Sequence, residues 1–441
     1  MRNQERIRSN AGWNARMGHT QGAARSGPTP LAGLLRGGRC GRALRVTLCA
    51  LCISHGSVFA SSQTSTFKFL QNPGPYPVGM KVVDQYDRSP AYSANARSRT
   101  TAGDGTRPLQ TLIWYPSRKS PVRPMTVGDY VRLADTEMHF HVPDEKENRW
   151  RTLLQSSLDI PLWAVQDAPL TKERYPVVIY APSDSSVSWE NADLCEFLAS
   201  HGYVVLASPS MGASTRDMTD DLDGINAQAR DISFLITYAQ TLPNTDLSKV
   251  AVMSWSWGGS ASLFAAARDP RIDALVSLDG SMRYYPGLVK MAGDVHPETM
   301  TIPLLFFTPG DPNVLEDIDR YHDGPPAYIV GPNVLNAWIH GDLFTVNMLG
   351  TAHAEFSSMF QRRESAKRFA ENQVADYGRG DANTNYAWVA LYTLKFLDAY
   401  LKNDASGKAF LEKTPAENGV PRHFMGMRFR PAEKISPPPV R

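Results

Sequence analysis

The apolar run Val250 to Ser254 breaks at Trp255-Ser256-Trp257-Gly258-Gly259 and resumes as the small-residue stretch Ser260 to Arg268. A buried strand must therefore turn at once into a helix. So tight a turn brings backbone against backbone and tolerates only small side chains two positions either side of its centre. Gly258 meets that condition, and Ser254 stands where a glycine is usual. The turn lifts the Ser256 hydroxyl to the carboxyl end of a sheet, with the amide-rich N-terminus of the following helix behind it.

The rest of the chain supplies such a sheet. Pro176 to Tyr180, Tyr203 to Ala207, Val250 to Ser254, Ala274 to Leu278, Leu304 to Thr308 and Phe344 to Leu349 read as strands. Helical stretches separate them: Asn191 to Ser200, a long amphipathic helix with Ile225, Ile232, Leu235, Ile236 and Ala239 on one face, and a closing helix through Ala387, Leu391, Leu394, Leu397 and Leu401. Strands alternating with helices imply a doubly wound, mostly parallel α/β sheet with helices on both faces. Met80 to Asp84 and Pro108 to Tyr115 read as paired opening strands. Residues 122–170 break the rhythm as an insertion with helices over Met125 to Leu133 and Asn148 to Leu158, expected to form a wall or lid beside a site. The domain is expected to run over 61–430, with a Pro-rich surface tail at 431–441.

Charge is unevenly placed. The first 60 residues hold nine Arg and one Glu, leaving 37 basic and 43 acidic side chains in the other 381. A mildly acidic body has no electrostatic footprint for nucleic acid. The basic start leads into the short apolar run Ala43 to Ala60, the pattern of an extended signal peptide cleaved after Ala60. The run is too short and interrupted for a permanent span, so a periplasmic or secreted location is expected, with no stable membrane anchor. Cys40, Cys49 and Cys52 leave with the leader, and the sole remaining thiol, Cys195, reads as a buried apolar residue with no disulfide partner.

A serine hydroxyl is a weak nucleophile and needs a histidine to take its proton and a carboxylate to orient that histidine. After such a turn the order along the chain is serine, acid, histidine. Of His296, His322, His340, His353 and His423, His353 fits: Gly350-Thr351-Ala352-His353 is a turn directly after the last sheet strand. Two aspartates end strands and remain alternatives as the acid, Asp279 after Ala274 to Leu278 and Asp311 after Leu304 to Gly310. His139 and His141 alternate as metal ligands would, without a convincing third ligand, so no metal and no cofactor are expected.

The turn at Ser256, the run Ser277-Leu278-Asp279-Gly280, the strand Pro303 to Phe307 and the turn ending in His353 resemble the plasma-type platelet-activating-factor acetylhydrolase group and related dienelactone-hydrolase-like esterases. Gly74 to Gly79 followed by Leu112 to Pro116 is similar to the paired entry strands of that group, and the likeness covers about residues 74–402. It implies an α/β-hydrolase fold, and it favours Asp279 over Asp311 as the acid. The sequence departs from the group after Tyr180, where Ala181-Pro182-Ser183-Asp184 replaces the usual His-Gly. Proline has no N–H to donate. The expected oxyanion donors are therefore the backbone amides of Trp257 and Ser183, with Asp184 disfavouring anionic substrates.

The function expected from these residues is an exported serine esterase acting on a small-molecule or lipid-like ester through an acyl-enzyme. The competing readings are a non-catalytic binding protein on the same scaffold, prompted by the altered loop, and an acyl transferase or peptidase using the same three side chains.

Overall fold

The computed structural model describes residues 67–88, 106–138, 140, 148–310, 314–315, 325–363 and 377–434. All belong to the compact unit Thr64–Arg441. Residues 1–60, read above as a leader, together with His139, His141, Asp311, His322 and residues 435–441, lie outside the described residues.

Ten strands form one sheet: β1 Val78–Asp87, β2 Arg107–Pro116, β3 Ala164–Gln166, β4 Tyr175–Ala181, β5 Val204–Ala207, β6 Thr245–Trp255, β7 Ala274–Leu278, β8 Leu304–Pro309, β9 Leu343–Met348 and β10 Met425–Arg430. Their spatial order is β10-β9-β8-β7-β6-β4-β5-β2-β1-β3. The six strands from β9 to β5 run parallel, while β2 is antiparallel to β5 and to β1, and β10 closes the far edge antiparallel to β9. The main helices are α1 Val127–Leu133, α2 Arg149–Leu153, α3 Ala192–Ser200, α4 Leu222–Ala239, α5 Gly258–Arg268, α6 Ser358–Arg363 and α7 Arg379–Leu401.

The continuous apolar strands follow from this placement. Every residue of β4 and β7 is buried, because helices cover both sheet faces and side chains point alternately to each. Val178, Tyr180, Ala251, Met253, Val276 and Phe307 join the large core cluster that includes Leu194 and Phe197 of α3 and Tyr386, Leu394 and Leu397 of α7. On the opposite face α4 and α5 lie together over β4 and β6. Cys195 is fully buried in α3, and burial holds its thiol well above the usual range.

The structure adds two strands that the sequence pattern did not single out. β10 alternates half-buried and exposed residues at the sheet edge, and its Met-Gly-Met-Arg-Phe-Arg composition carries little β signal. β3 is three residues of the insertion that pair in parallel with β1. The insertion helices are also shorter than their apolar spacing suggests. α1 begins at Val127 because Thr126 and Asp129 form a capping box, and α2 stops at Leu153, passing into a 3-10 turn at Gln155–Ser157.

The insertion is a wall against α3, tied by a buried carboxylate. Glu196 accepts hydrogen bonds from the Tyr130 hydroxyl at 2.6 Å and from the Trp163 and Ala164 N–H groups at 2.5 and 3.0 Å. Burial pushes its carboxyl up to about 8. A folded-state value above the unfolded one favours the protonated fold. The stabilisation is thus complete below the ordinary glutamate range and lost as pH rises through about 8, a change on the order of a few kcal/mol. Wild-type Tm should therefore fall between pH 5 and 9, and Glu196→Gln should flatten that slope. Equal slopes for the two proteins in calorimetric scans would refute this account.

Candidate active site

Strand register brings the candidate residues together before any loop does. Trp255 of β6 pairs with Leu278 of β7, and Leu278 with Phe307 of β8, so the residues just past these strands emerge side by side at one rim. The Ser256 N–H donates to Leu278 O at 3.2 Å and the Asp279 N–H to Phe307 O at 2.9 Å. Both residues are in the left-handed region, Ser256 at φ +53° and Asp279 at φ +47°. For non-glycine residues this conformation is uncommon and persists where surrounding structure imposes it. The turn is imposed by close packing. A Cβ on Gly258 would lie 2.3 Å from Ala181 O, and one on Gly259 would lie 2.4 Å from Gly280 Cα. Ser254 is accommodated because its hydroxyl points into the layer between sheet and α5, 3.2 Å from the Ser262 hydroxyl.

His353 reaches this rim from the turn after β9. Gly350 turns the chain at φ +72°. Asn385 of α7 donates to Leu349 O at 2.8 Å and to the Thr351 hydroxyl at 2.9 Å, and the Trp255 indole N–H donates to His353 O at 3.2 Å. The imidazole Nε2 lies 3.0 Å from Ser256 Oγ, and Nδ1 lies 2.5 Å from Asp279 Oδ2. With the Nδ1 proton directed at the carboxylate, Nε2 is the acceptor for the serine proton. Ser256 and Asp279 are buried, whereas the His353 side chain keeps 20% of its surface open to solvent.

Tyr284 and Glu190 also belong to the site, and sequence reasoning missed both. The Tyr284 hydroxyl donates to Asp279 Oδ1 at 2.5 Å, so each carboxylate oxygen has a donor. Its position five residues past Asp279 carries no spacing signal, since a 3-10 turn at Ser281–Arg283 folds it back. Glu190 changes the expected oxyanion arrangement. The Ser183 N–H donates to Glu190 Oε2 at 2.9 Å and the Ser183 hydroxyl to Oε1 at 2.5 Å. A fully buried carboxylate requires donors, and this one has taken the amide that was expected to face a substrate. The Trp257 N–H, at the start of α5, has no hydrogen-bond partner among the described residues. The same holds for the Asp184 N–H, one residue beyond Ser183. Burial, aided by Asp220, pushes the Asp184 carboxyl up to about 7, so its negative charge develops only as pH rises through that range.

The remaining candidates lie elsewhere. His296 is exposed beside Glu298, His340 is near Glu433 O, and the backbone carbonyl of His423 accepts from the Tyr377 hydroxyl. Trp189, Trp255 and Trp257 are buried packing residues. Trp255 joins a chain of ring contacts from His353 through Phe360 to Trp150, so α2 of the insertion abuts the histidine side of the site. Among the described residues no three His, Cys, Asp or Glu side chains gather as a metal site.

Residues 164–307 match the dienelactone hydrolase family. The chain is an α/β-hydrolase of the carboxylic ester hydrolase group. The family match runs from β3 to β8, so it takes in Ser256 and Asp279 and stops before His353. Among solved structures the hydrolase is similar to a ferulic acid esterase from Streptomyces cinnamoneus, at 19% identity over 76% of this chain and 93% of that chain, with a TM-score of 0.53. No curated protein matches it in sequence. Of the two groups its motifs resemble, this match is to the dienelactone hydrolases.

Proposed function

We propose that this hydrolase is exported and cleaves small-molecule or lipid-like carboxylic esters through Ser256, His353 and Asp279. The observation that carries the reading is the continuous hydrogen-bonded line Ser256–His353–Asp279, at 3.0 and 2.5 Å. Ser256 Oγ attacks the ester carbonyl as His353 Nε2 takes its proton, and Asp279 holds the resulting imidazolium. The same proton passes to the departing alkoxide, leaving an acyl-enzyme. His353 then activates water, which releases the acid and returns Ser256. The Trp257 N–H at the α5 N-terminus is one oxyanion donor. The Asp184 N–H takes the second place in preference to Ser183, whose amide is committed to Glu190.

Export is supported by the nine-Arg leader and the apolar run before Ala60. No helix among the described residues is long and apolar enough to cross a membrane.

The occupied Ser183 amide favours one rival, a binding protein that has lost catalysis. A fluorophosphonate probe separates the two. Labelling of wild type and none of Ser256→Ala is expected; an inert, folded wild type would establish the binder. Parallel assays of ester and amide analogues separate an esterase from a peptidase, and added alcohol acceptors reveal acyl transfer.

A further inference from the structure

We propose that the buried pair Glu190-Asn191 is a positioning clamp that holds the oxyanion turn in register with the segment carrying His353. The inference rests on the reading of Ser256 and His353 given above, and it adds two residues to which no role has been assigned.

Both residues are 0% exposed, and their hydrogen bonds go mainly to two parts of the site, with one further bond from the Tyr386 hydroxyl of α7 to Asn191 Oδ1 at 2.8 Å. Towards the oxyanion turn, the Glu190 carboxylate accepts from Ser183 N–H, from the Ser183 hydroxyl and from the Tyr180 hydroxyl at 2.7 Å. Towards the histidine, Glu190 O accepts from the Met359 N–H at 3.2 Å and from the Ser357 hydroxyl at 3.0 Å. Asn191 Nδ2 donates to Phe356 O at 3.1 Å, and Asn191 Oδ1 accepts from the Ser358 N–H at 2.9 Å. Phe356 ends the same 3-10 turn that His353 begins. Tyr180 closes the circuit, donating to Glu190 and accepting from Asn191 Nδ2 at 2.8 Å.

Two features distinguish this arrangement from ordinary core packing. Asn191 occupies the N-cap of α3, a position where asparagine normally caps the helix, yet its side chain makes no cap bond. Its amide is spent instead on the histidine segment, Tyr180 and Tyr386. Glu190 is a carboxylate held by the neutral donors of Tyr180 and Ser183, an arrangement costly to bury compared with an apolar residue of similar size. The clamp accounts for both. An imidazole and an oxyanion donor on separate chain segments must be matched to a fraction of an ångström, and a displacement of about 1 Å costs on the order of 10²-fold in rate.

The test uses four variants of the full-length protein, assayed with a short-chain p-nitrophenyl ester well below each Tm. Glu190→Ala and Asn191→Ser should each lower kcat by about 10- to 100-fold with KM within about 3-fold of wild type. Asn191→Ser retains a good N-cap residue, so α3 should form even if Glu190→Ala fails to fold. Glu190→Gln can accept from the Ser183 N–H and donate to its hydroxyl, and it should restore kcat to within about 5-fold. Fluorophosphonate labelling rates should follow kcat. A lowered Tm with kcat within 2-fold in Asn191→Ser would make the pair merely structural and overturn the proposal. Ser256→Ala is the control: if it retains full activity, the catalytic reading falls and the clamp with it, whereas an inactive Ser256→Ala beside fully active clamp variants defeats the clamp alone.

Discussion

His353→Ala is expected to lower kcat for ester hydrolysis by about 10⁵- to 10⁶-fold, the scale seen when the base of a serine triad is removed. His353 Nε2 is the only histidine nitrogen hydrogen-bonded to Ser256 Oγ among the described residues. The neighbouring Trp255 and Phe360 rings offer no substitute base. Without it, attack would require a free alkoxide whose population at neutral pH is negligible. KM should change little, because the imidazole acts on the proton and not on ground-state binding. The residual rate should reflect the Trp257 amide and the helix N-terminus. A loss below about 10² in kcat, measured with a p-nitrophenyl ester on a variant of unchanged Tm, would show that proton transfer does not run through this residue.

Asp279→Asn should cost about 10⁴ in kcat while leaving the fold intact. An asparagine is nearly isosteric but presents an N–H₂ where Asp279 Oδ2 now faces His353 Nδ1 at 2.5 Å, or forces a flip that places the amide against the Tyr284 hydroxyl. The first arrangement drives the imidazole to the wrong tautomer, and both remove the negative charge that stabilises its positive form. Asp311→Asn should leave kcat within about 3-fold. Asp311 lies outside the described residues, so the paired measurement carries the comparison. A large loss for Asp311→Asn with a small one for Asp279→Asn would reverse the assignment of the acid.

The parts of the site legible in sequence were those with a local signature. The turn at Ser256 announces itself because strand, small residues and helix are contiguous, and the same small residues meet Ala181 and Gly280 in space. His353 was readable as the histidine of a glycine-bearing turn after the last parallel strand. The choice between Asp279 and Asp311 was not local. Both follow apolar strands, and it is the adjacency of β7 to β6 that puts Asp279 beside the serine. Ser183 was expected to present its amide because Pro182 cannot. Glu190 instead takes that amide, reaching back seven residues from a loop with no periodic pattern. β10 escaped for a related reason: an edge strand with one wet face buries too little to leave an apolar imprint.

The sealed position of Cys195 has a practical consequence. Of the four cysteines, three precede Ala60, and the fourth is walled in by the α3 core. In a form that begins after Ala60, a cysteine introduced at any exposed site would be the one thiol open to maleimide chemistry. Fluorophores or spin labels could then report distances around the rim without a cysteine-free background.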